Sequence, residues 1–272
     1  MWSDALRGIR KHLLAYTAHS NLTILGELPQ GIDGALFPKM DHLVCFLPGT
    51  IALAATSGHT LAHARAQPDW TEDHEAQIRL AEELTKTCWG MYKIAPTGVS
   101  PEIAHFHLSE PVVLTASEPT PRTSPAELSA DPAAEWRKDF DVHNGDVHNL
   151  QRPETVETLF YMWRITGEEK YREWGWEMFE SFVEWTLLEE TDVALDDDDA
   201  TAVRKAKARA KEMKYGDLGK RYRGFSSIND VMQTPPPTRD NMESFWLVRL
   251  TLLLSLLQPD SIHLRNVSET NL

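Results

Sequence analysis

Long apolar runs are missing from this chain. The longest candidate, FWLVRLTLLLSLL (245–257), falls short of the roughly 18–20 residues that a membrane span needs, and it carries Arg249. No membrane-spanning helix is therefore expected. Basic residues are scarce too. There are 27 Lys and Arg against 41 Asp and Glu, a formal net charge of −14, which argues against nucleic acid and anionic membrane surfaces as partners. Cysteine is limited to Cys45 and Cys88, too few for a disulfide framework and too few, alone, for a zinc site. The pair reads either as one disulfide or as two buried thiols, and thiols are the ordinary state in a reducing cytosol. A Gly-rich phosphate loop and a Gly-x-Ser-x-Gly nucleophile elbow are absent as well. The first residues, MWSDALRGIRKHLLAY, are amphipathic and lack the basic-then-apolar layout of a signal peptide, so any targeting segment lies outside this sequence.

The residues that are present point to helices. The chain of 272 residues suits one large domain or two small ones, and 42% hydrophobic residues supply a core. Ser3 is placed to cap a helix running to about Ala18, with Leu6, Ile9, Leu13 and Leu14 at helical spacing. A Gly/Pro-rich loop (25–40) leads into MDHLVCFLPGTIALAATSG, which reads as a buried helix interrupted at Pro48-Gly49. Thr71 opens a charged amphipathic helix that ends before Pro96. The segment GVSPEIAHFHL looks extended, and 115–147 reads as a long surface loop. Two more helices cover 153–165 and 168–187, separated by Thr166-Gly167. The acidic-then-basic run 196–214 matches a helix dipole and reads as a solvated insertion. A last helix covers about 241–257, with Asp240 and Glu243 spaced as a capping box. The expected fold class is all-α with elaborate loops.

The chemistry-bearing candidates cluster around Arg152-Pro153-Glu154. Proline favours the first helical turn, which places Glu154 where free N–H groups and the helix dipole stabilise a carboxylate. Arg152 adds a positive field. A carboxylate held ionised suits a general base, although Glu is common in the first turn of any helix. Glu157 lies one turn on and roughly on the same face, which makes a paired-carboxylate site geometrically feasible. The aromatic-rich stretch downstream, with its many tryptophans, suggests a wall for a polar ring-shaped ligand. Phe245 and Trp246 read as core, and so does His42, set among apolar residues. Glu102 by itself says nothing.

Taken together, FPKMDHLVCFLPGTIALA, ELTKTCWGMY, TGVSPEIAHF, RPETVETLFY through EWGWEMFESF, and FSSINDV…PPP…RDNMESFWL resemble, in order, the C-terminal half of the catalytic domain of glycoside hydrolase family 47, the class I α-1,2-mannosidases. The resemblance implies part of an (αα)7 barrel over residues 1–258, a low-complexity insertion at about 189–222 and a divergent tail at 259–272. It also implies an inverting, calcium-dependent mannosidase of N-glycan processing that acts on high-mannose N-glycans in the endoplasmic reticulum or Golgi lumen, or outside the cell. The alternative is an inactive mannosidase-like protein that binds glycans in glycoprotein quality control. By motif, Glu154 matches the proposed general base and Arg152 and Glu157 its active-site companions. His42, Glu102 and Phe245 match residues lining the sugar pocket. Cys45 and Cys88 match the family's disulfide pair, which implies an oxidising lumen. Two features depart from the pattern. The family's Asn-Thr-Glu-Ala-His-Pro signature, whose Thr binds calcium, is not matched, although Thr270 falls near the expected place. Arg249 replaces a pocket carboxylate. The family's proposed acid belongs to an N-terminal half of the barrel that precedes the matched pieces, so hydrolysis is expected to need that half.

Overall fold

The computed structural model describes residues 1–109, 121–189 and 222–257. Among them are seven α-helices: α1 (Trp2–His12), α2 (Leu47–Thr56), α3 (Leu61–Arg65), α4 (Glu72–Lys93), α5 (Glu154–Thr166), α6 (Lys170–Thr186) and α7 (Trp246–Leu257). Nine strands of two to four residues pair only with near neighbours. The architecture is helical, as expected, and the strands stiffen its loops.

Helix α5 is the hub and packs on α2, α4, α6 and α7. Its buried residues Val156, Leu159, Met162 and Trp163 keep to helical periodicity, and Gly167 ends it in a left-handed cap at φ 76°. Helices α2 and α5 approach closely. A Cβ on Gly49 would lie 3.0 Å from Thr158 Oγ1 and 3.1 Å from Thr158 Cα, so only glycine fits there. The Gly49 N–H donates to Thr158 Oγ1 at 3.0 Å, and that hydroxyl donates to the Cys45 carbonyl at 2.6 Å.

A smaller core lies under the loops. Met40, Ala104, Phe106, Trp136 and Phe140 surround Cys45 and Cys88, which form a disulfide. The cysteines are therefore oxidised, as the family resemblance implied and against the reading as two thiols. Strand β3 (Lys39–Asp41) pairs with β4 (Ile103–Phe106), which pairs with β5 (Phe140–Asp141), all antiparallel.

Local propensity and tertiary contact disagree at several places. Helix α1 stops at His12, not near Ala18, because Leu14–Tyr16 turns into strand β1 and pairs with β2 (Thr23–Leu25). Nor does the break in MDHLVCFLPGTIALAATSG fall at Pro48. A 3₁₀ turn, His42–Phe46, precedes α2, and Pro48 sits in the first turn of α2, where its missing N–H costs nothing. The described part of 115–147 is mostly exposed or half-buried, as a surface loop should be, but it is anchored to the core. Trp136 and Asp139 are buried, and Asp139 accepts from the His19 and Ser20 N–H groups at 2.8 and 3.0 Å. Helix α7 starts at Trp246, so Asp240 and Glu243 form no capping box. Glu243 instead accepts from Asn241 Nδ2 at 3.1 Å. The run 196–214 lies outside the described residues.

Candidate active site

Helix α5 begins at Glu154, with Pro153 as its N-cap. Ahead of it the chain makes a sharp turn at Gln151, a non-glycine residue with φ 61°. Asn149 Oδ1 pins that turn by accepting the Gln151 N–H at 2.8 Å. A residue held in the left-handed region stores strain and redirects the chain beyond it. Here the redirected segment is the Arg152-Pro153-Glu154 triplet.

The structure brings together the residues that the motif pointed to. Glu154 Oε2 lies 3.0 Å from His42 Nδ1. Glu102 accepts from Arg152 Nε at 2.6 Å and from the Leu150 N–H at 2.7 Å. The guanidinium of Arg152 sits 5.5 Å from the centre of the Phe245 ring. The His42 N–H donates to the Glu102 carbonyl at 2.7 Å, which ties the two halves of the cluster through backbone. Glu157 stands one turn later on the same helix, and its carboxyl meets the Tyr161 hydroxyl. Thr270 lies outside the described residues.

Three further residues complete the network. Tyr92, near the end of α4, places its hydroxyl 2.7 Å from His42 Nε2, and Thr155 Oγ1 lies 3.2 Å from the same nitrogen. Arg249, in α7, is fully buried, donates to the Tyr92 hydroxyl and to the Arg152 carbonyl, and stacks 3.9 Å over Phe182. A guanidinium can only donate. The Tyr92 oxygen therefore accepts from Arg249, and an ionised Glu154 can only accept from His42 Nδ1–H. With the imidazole neutral, Nε2 then takes the Tyr92 proton. Tyr92 closes the matched segment ELTKTCWGMY, but the resemblance gives it no role; a buried tyrosine hydroxyl usually finds a partner. Arg249 was legible as an anomaly. Its role as the anchor of a hydrogen-bond chain was not.

The electrostatics arise from this geometry. Burial pushes the Glu154 carboxyl upward, but the hydrogen bond and positive edge of His42, its own helix-start N–H and Arg152 outweigh that and hold it below the usual value. Burial raises Glu157, and the neighbouring Glu154 charge raises it further. The two carboxyls of the pair are thus pushed apart, one kept as an anion and the other toward its neutral form. Burial drives the Tyr92 phenol up to about 12 despite Arg249 beside it, so it remains a proton donor. Burial pulls Arg249 down, against the pull of Tyr92.

The tryptophans of α5 and α6 do not wall this pocket. Trp174 stacks on Trp89 at 5.5 Å, Trp163 lies under Arg164 and Arg172, and Trp185 Nε1 donates to the Thr97 carbonyl. They are packing residues, and Trp176 is half exposed. The aromatics that touch the site are Tyr92, on His42, and Phe245, under Arg152.

Residues 1–252 match the sequence model of Glycosyl hydrolase family 47. A mannosyl-oligosaccharide 1,2-alpha-mannosidase of Candida albicans is 38% identical over 266 residues, covering 96% of this chain and 38% of that protein. The endoplasmic reticulum mannosyl-oligosaccharide 1,2-alpha-mannosidase of Homo sapiens is 37% identical over 263 residues, covering 96% of this chain and 27% of that protein. The solved alpha-1,2-mannosidase from Trichoderma reesei superposes with a TM-score of 0.61 at 20% identity, over 96% of this chain and 41% of that one, which shows the shared fold. The chain thus spans well under half the length of the relatives it matches. With the motif residues gathered at the start of α5 and a family match running into α7, the chain belongs to Glycosyl hydrolase family 47.

Proposed function

We propose that this chain is the base-bearing portion of an α-1,2-mannosidase that acts on high-mannose N-glycans. The observation that carries this reading is Glu154. It is a carboxylate at a helix start, hydrogen-bonded at 3.0 Å to a buried histidine and held below its ordinary pKa. In an inverting glycosidase one carboxylate deprotonates a water on one face of the sugar while an acid protonates the leaving oxygen on the other. Glu154 suits the base. Arg152 and Phe245 would hold sugar hydroxyls and a sugar face, a role supported by the Glu102 clamp on Arg152 and by the closeness of Arg152 to the Phe245 ring. The acid would come from the preceding half of the family domain, with residues 1–258 as this chain's share of it and 259–272 as a separate tail. The relatives' names support the substrate and an endoplasmic reticulum or other secretory-pathway lumen, and the Cys45–Cys88 disulfide supports an oxidising compartment.

The family resemblance implies calcium, a hard ion that takes about six to eight oxygen ligands. The described residues do not by themselves fit that ion. Glu154 and Glu102 commit oxygens to His42, Arg152 and Leu150, and a buried guanidinium stands at Arg249. The role given to Glu154 is accordingly derived from the chain's own residues.

Arg249 favours a second reading, in which the pocket holds glycan without hydrolysing it. Mannose release from a high-mannose N-glycan separates the two. The assay is run on the chain alone and on the chain combined with the N-terminal barrel half of a family relative, each beside a Glu154→Gln variant. Release that falls about 10²–10⁴-fold in the variant supports the mannosidase. Release indifferent to Glu154 overturns its role as base. Saturable glycan binding with no release in either preparation replaces the hydrolase with the binding protein.

A further inference from the structure

A second cluster lies on the β3–β4–β5 sheet, three residues along the chain from Glu102. His105 Nε2 is 3.1 Å from Asp146 Oδ2, and His143 Nδ1 is 3.8 Å from the same oxygen. The other nitrogen of His143, Nε2, lies 3.0 Å from Asp141 Oδ2. The two imidazoles stack at 3.8 Å with planes 21° apart. One ligand atom from each of His105, His143 and Asp146 falls within 4.8 Å of the others. None of these side chains bonds to the Glu154 network, which Asp146 meets only through its backbone carbonyl.

With both imidazoles neutral, hydrogen bonding leaves this cluster one cation short, and either a proton on His143 or a metal ion supplies it. A neutral His105 donates Nε2–H to Asp146. A neutral His143 donates Nε2–H to Asp141, so its Nδ1 is a bare lone pair facing the Asp146 carboxylate, two acceptors with no proton between them. A cation resolves that conflict. We propose that His105, His143 and Asp146 bind one divalent transition-metal ion of the zinc class.

The dimensions suit it. Bonds of about 2.1 Å in a tetrahedron put ligand atoms about 3.4 Å apart, and the two histidine nitrogens stand 3.1 and 3.8 Å from the aspartate oxygen. Closing the set asks the ring of His143, which is 52% exposed, to turn toward Asp146. Three protein ligands leave a fourth position for water, on the side open to solvent. Asp141 supplies the outer carboxylate that ligating histidines usually have, and it fixes Nδ1 as the free nitrogen. Nitrogen donors select zinc, cobalt or nickel over calcium. The site is held from behind. Glu102 N–H donates to the carbonyls of Asp146 and His148 at 3.1 and 2.9 Å, and His105 and Asp141 are register partners across β4 and β5. Lys39 faces His105 across β3 and β4, but its amine is drawn onto Asp41 and Glu27 at 3.0 and 3.1 Å.

Cobalt(II) titration of the purified chain, read by visible absorption, tests the proposal. The expected result is one saturable cobalt per chain, displaced by zinc and not by calcium, with affinity lowered at least about tenfold in His143→Asn and about tenfold in Asp141→Asn. His63→Asn is the control, because His59, His63 and His74 line a separate cavity of about 240 Å³. His63→Asn should leave the titration unchanged. No saturable binding, binding indifferent to His143→Asn, displacement by calcium, or loss confined to His63→Asn would each overturn the assignment. Circular dichroism melts of the variants confirm that a lost site is not a lost fold.

Discussion

His42 Nδ1 donates to Glu154 Oε2 across 3.0 Å, from a side chain with no solvent exposure to one that is 13% exposed. Glu154 therefore titrates lower in the folded protein than in the unfolded chain, where a glutamate lies near ~4.3. The unfolded state then binds more protons in acid. The stability Glu154 contributes is complete above that ordinary value and is lost as pH falls through the folded one. Urea unfolding at neutral and acid pH should show a smaller acid-side loss in Glu154→Gln than in the parent. An unchanged acid limb would mean that the pair is not formed in solution.

Removing His42 has the larger effect. His42→Phe leaves the half-buried Glu154 without its donor and the Tyr92 hydroxyl without its acceptor. Breaking one partner of a buried pair costs about 3–5 kcal/mol, which here is an upper figure because Glu154 still reaches solvent. The carboxyl carbon of Glu154, tracked by NMR across a pH titration, should shift its midpoint upward in the variant. A midpoint that stays put would remove His42 as the cause.

Arg249 supports a comparison whose order is fixed by desolvation. Its Nε has no hydrogen-bond partner among the described residues, and the side chain is fully buried. Arg249→Met removes two donated hydrogen bonds, each worth about 1–3 kcal/mol when its acceptor is left bare, but it also removes a buried charge whose desolvation costs several kcal/mol. Arg249→Lys keeps the charge and loses the flat face stacked on Phe182. The lysine variant should therefore melt below the methionine variant, by about 2–4 °C for each kcal/mol between them. The reverse order in a calorimetric scan would show that the guanidinium is not the costly element.

Gly49→Ala tests the contact between α2 and α5. The added methyl would meet Thr158 Cα at 3.1 Å, and backbone cannot rotate away as a side chain can. Overpacking of this kind costs about 1–3 kcal/mol. The urea midpoint should fall with no change in slope.

The Cys45–Cys88 bond closes a loop of 43 residues. In the chain-entropy account such a loop contributes about 4 kcal/mol by constraining the unfolded chain. A Cys45→Ala/Cys88→Ala double variant should unfold at a markedly lower denaturant concentration, and the parent should approach it in strong reductant.

Most of the helix inventory and the position of Glu154 follow from short-range sequence patterns. Both are local. The 3.6-residue periodicity of 154–166, the proline before it and Gly167 after it act within a few residues, and a first-turn glutamate sits near free N–H groups wherever the helix packs. The motif residues His42, Glu102, Arg152 and Phe245 were legible only as a set, through the family resemblance, because they are separated by up to 203 residues and no local pattern joins them.

Tertiary structure alone decided the rest. The β1–β2 pairing ended α1 at His12, because those residues gain ladder hydrogen bonds that an extended helix would forgo. Packing turned Trp163, Trp174 and Trp185 against neighbouring elements and left Trp176 half exposed, and a pattern of aromatics cannot by itself distinguish a wall from a core. The strand register placed His105 opposite Asp141, and the folded loop after β5 brought Asp146 to His105 and His143 to Asp141. The chain Arg249–Tyr92–His42–Glu154 links α7, α4, the 3₁₀ turn and α5. Directional hydrogen bonds between buried groups exist only once the helices carrying them are docked, so no reading of one segment at a time could have shown which proton His42 keeps.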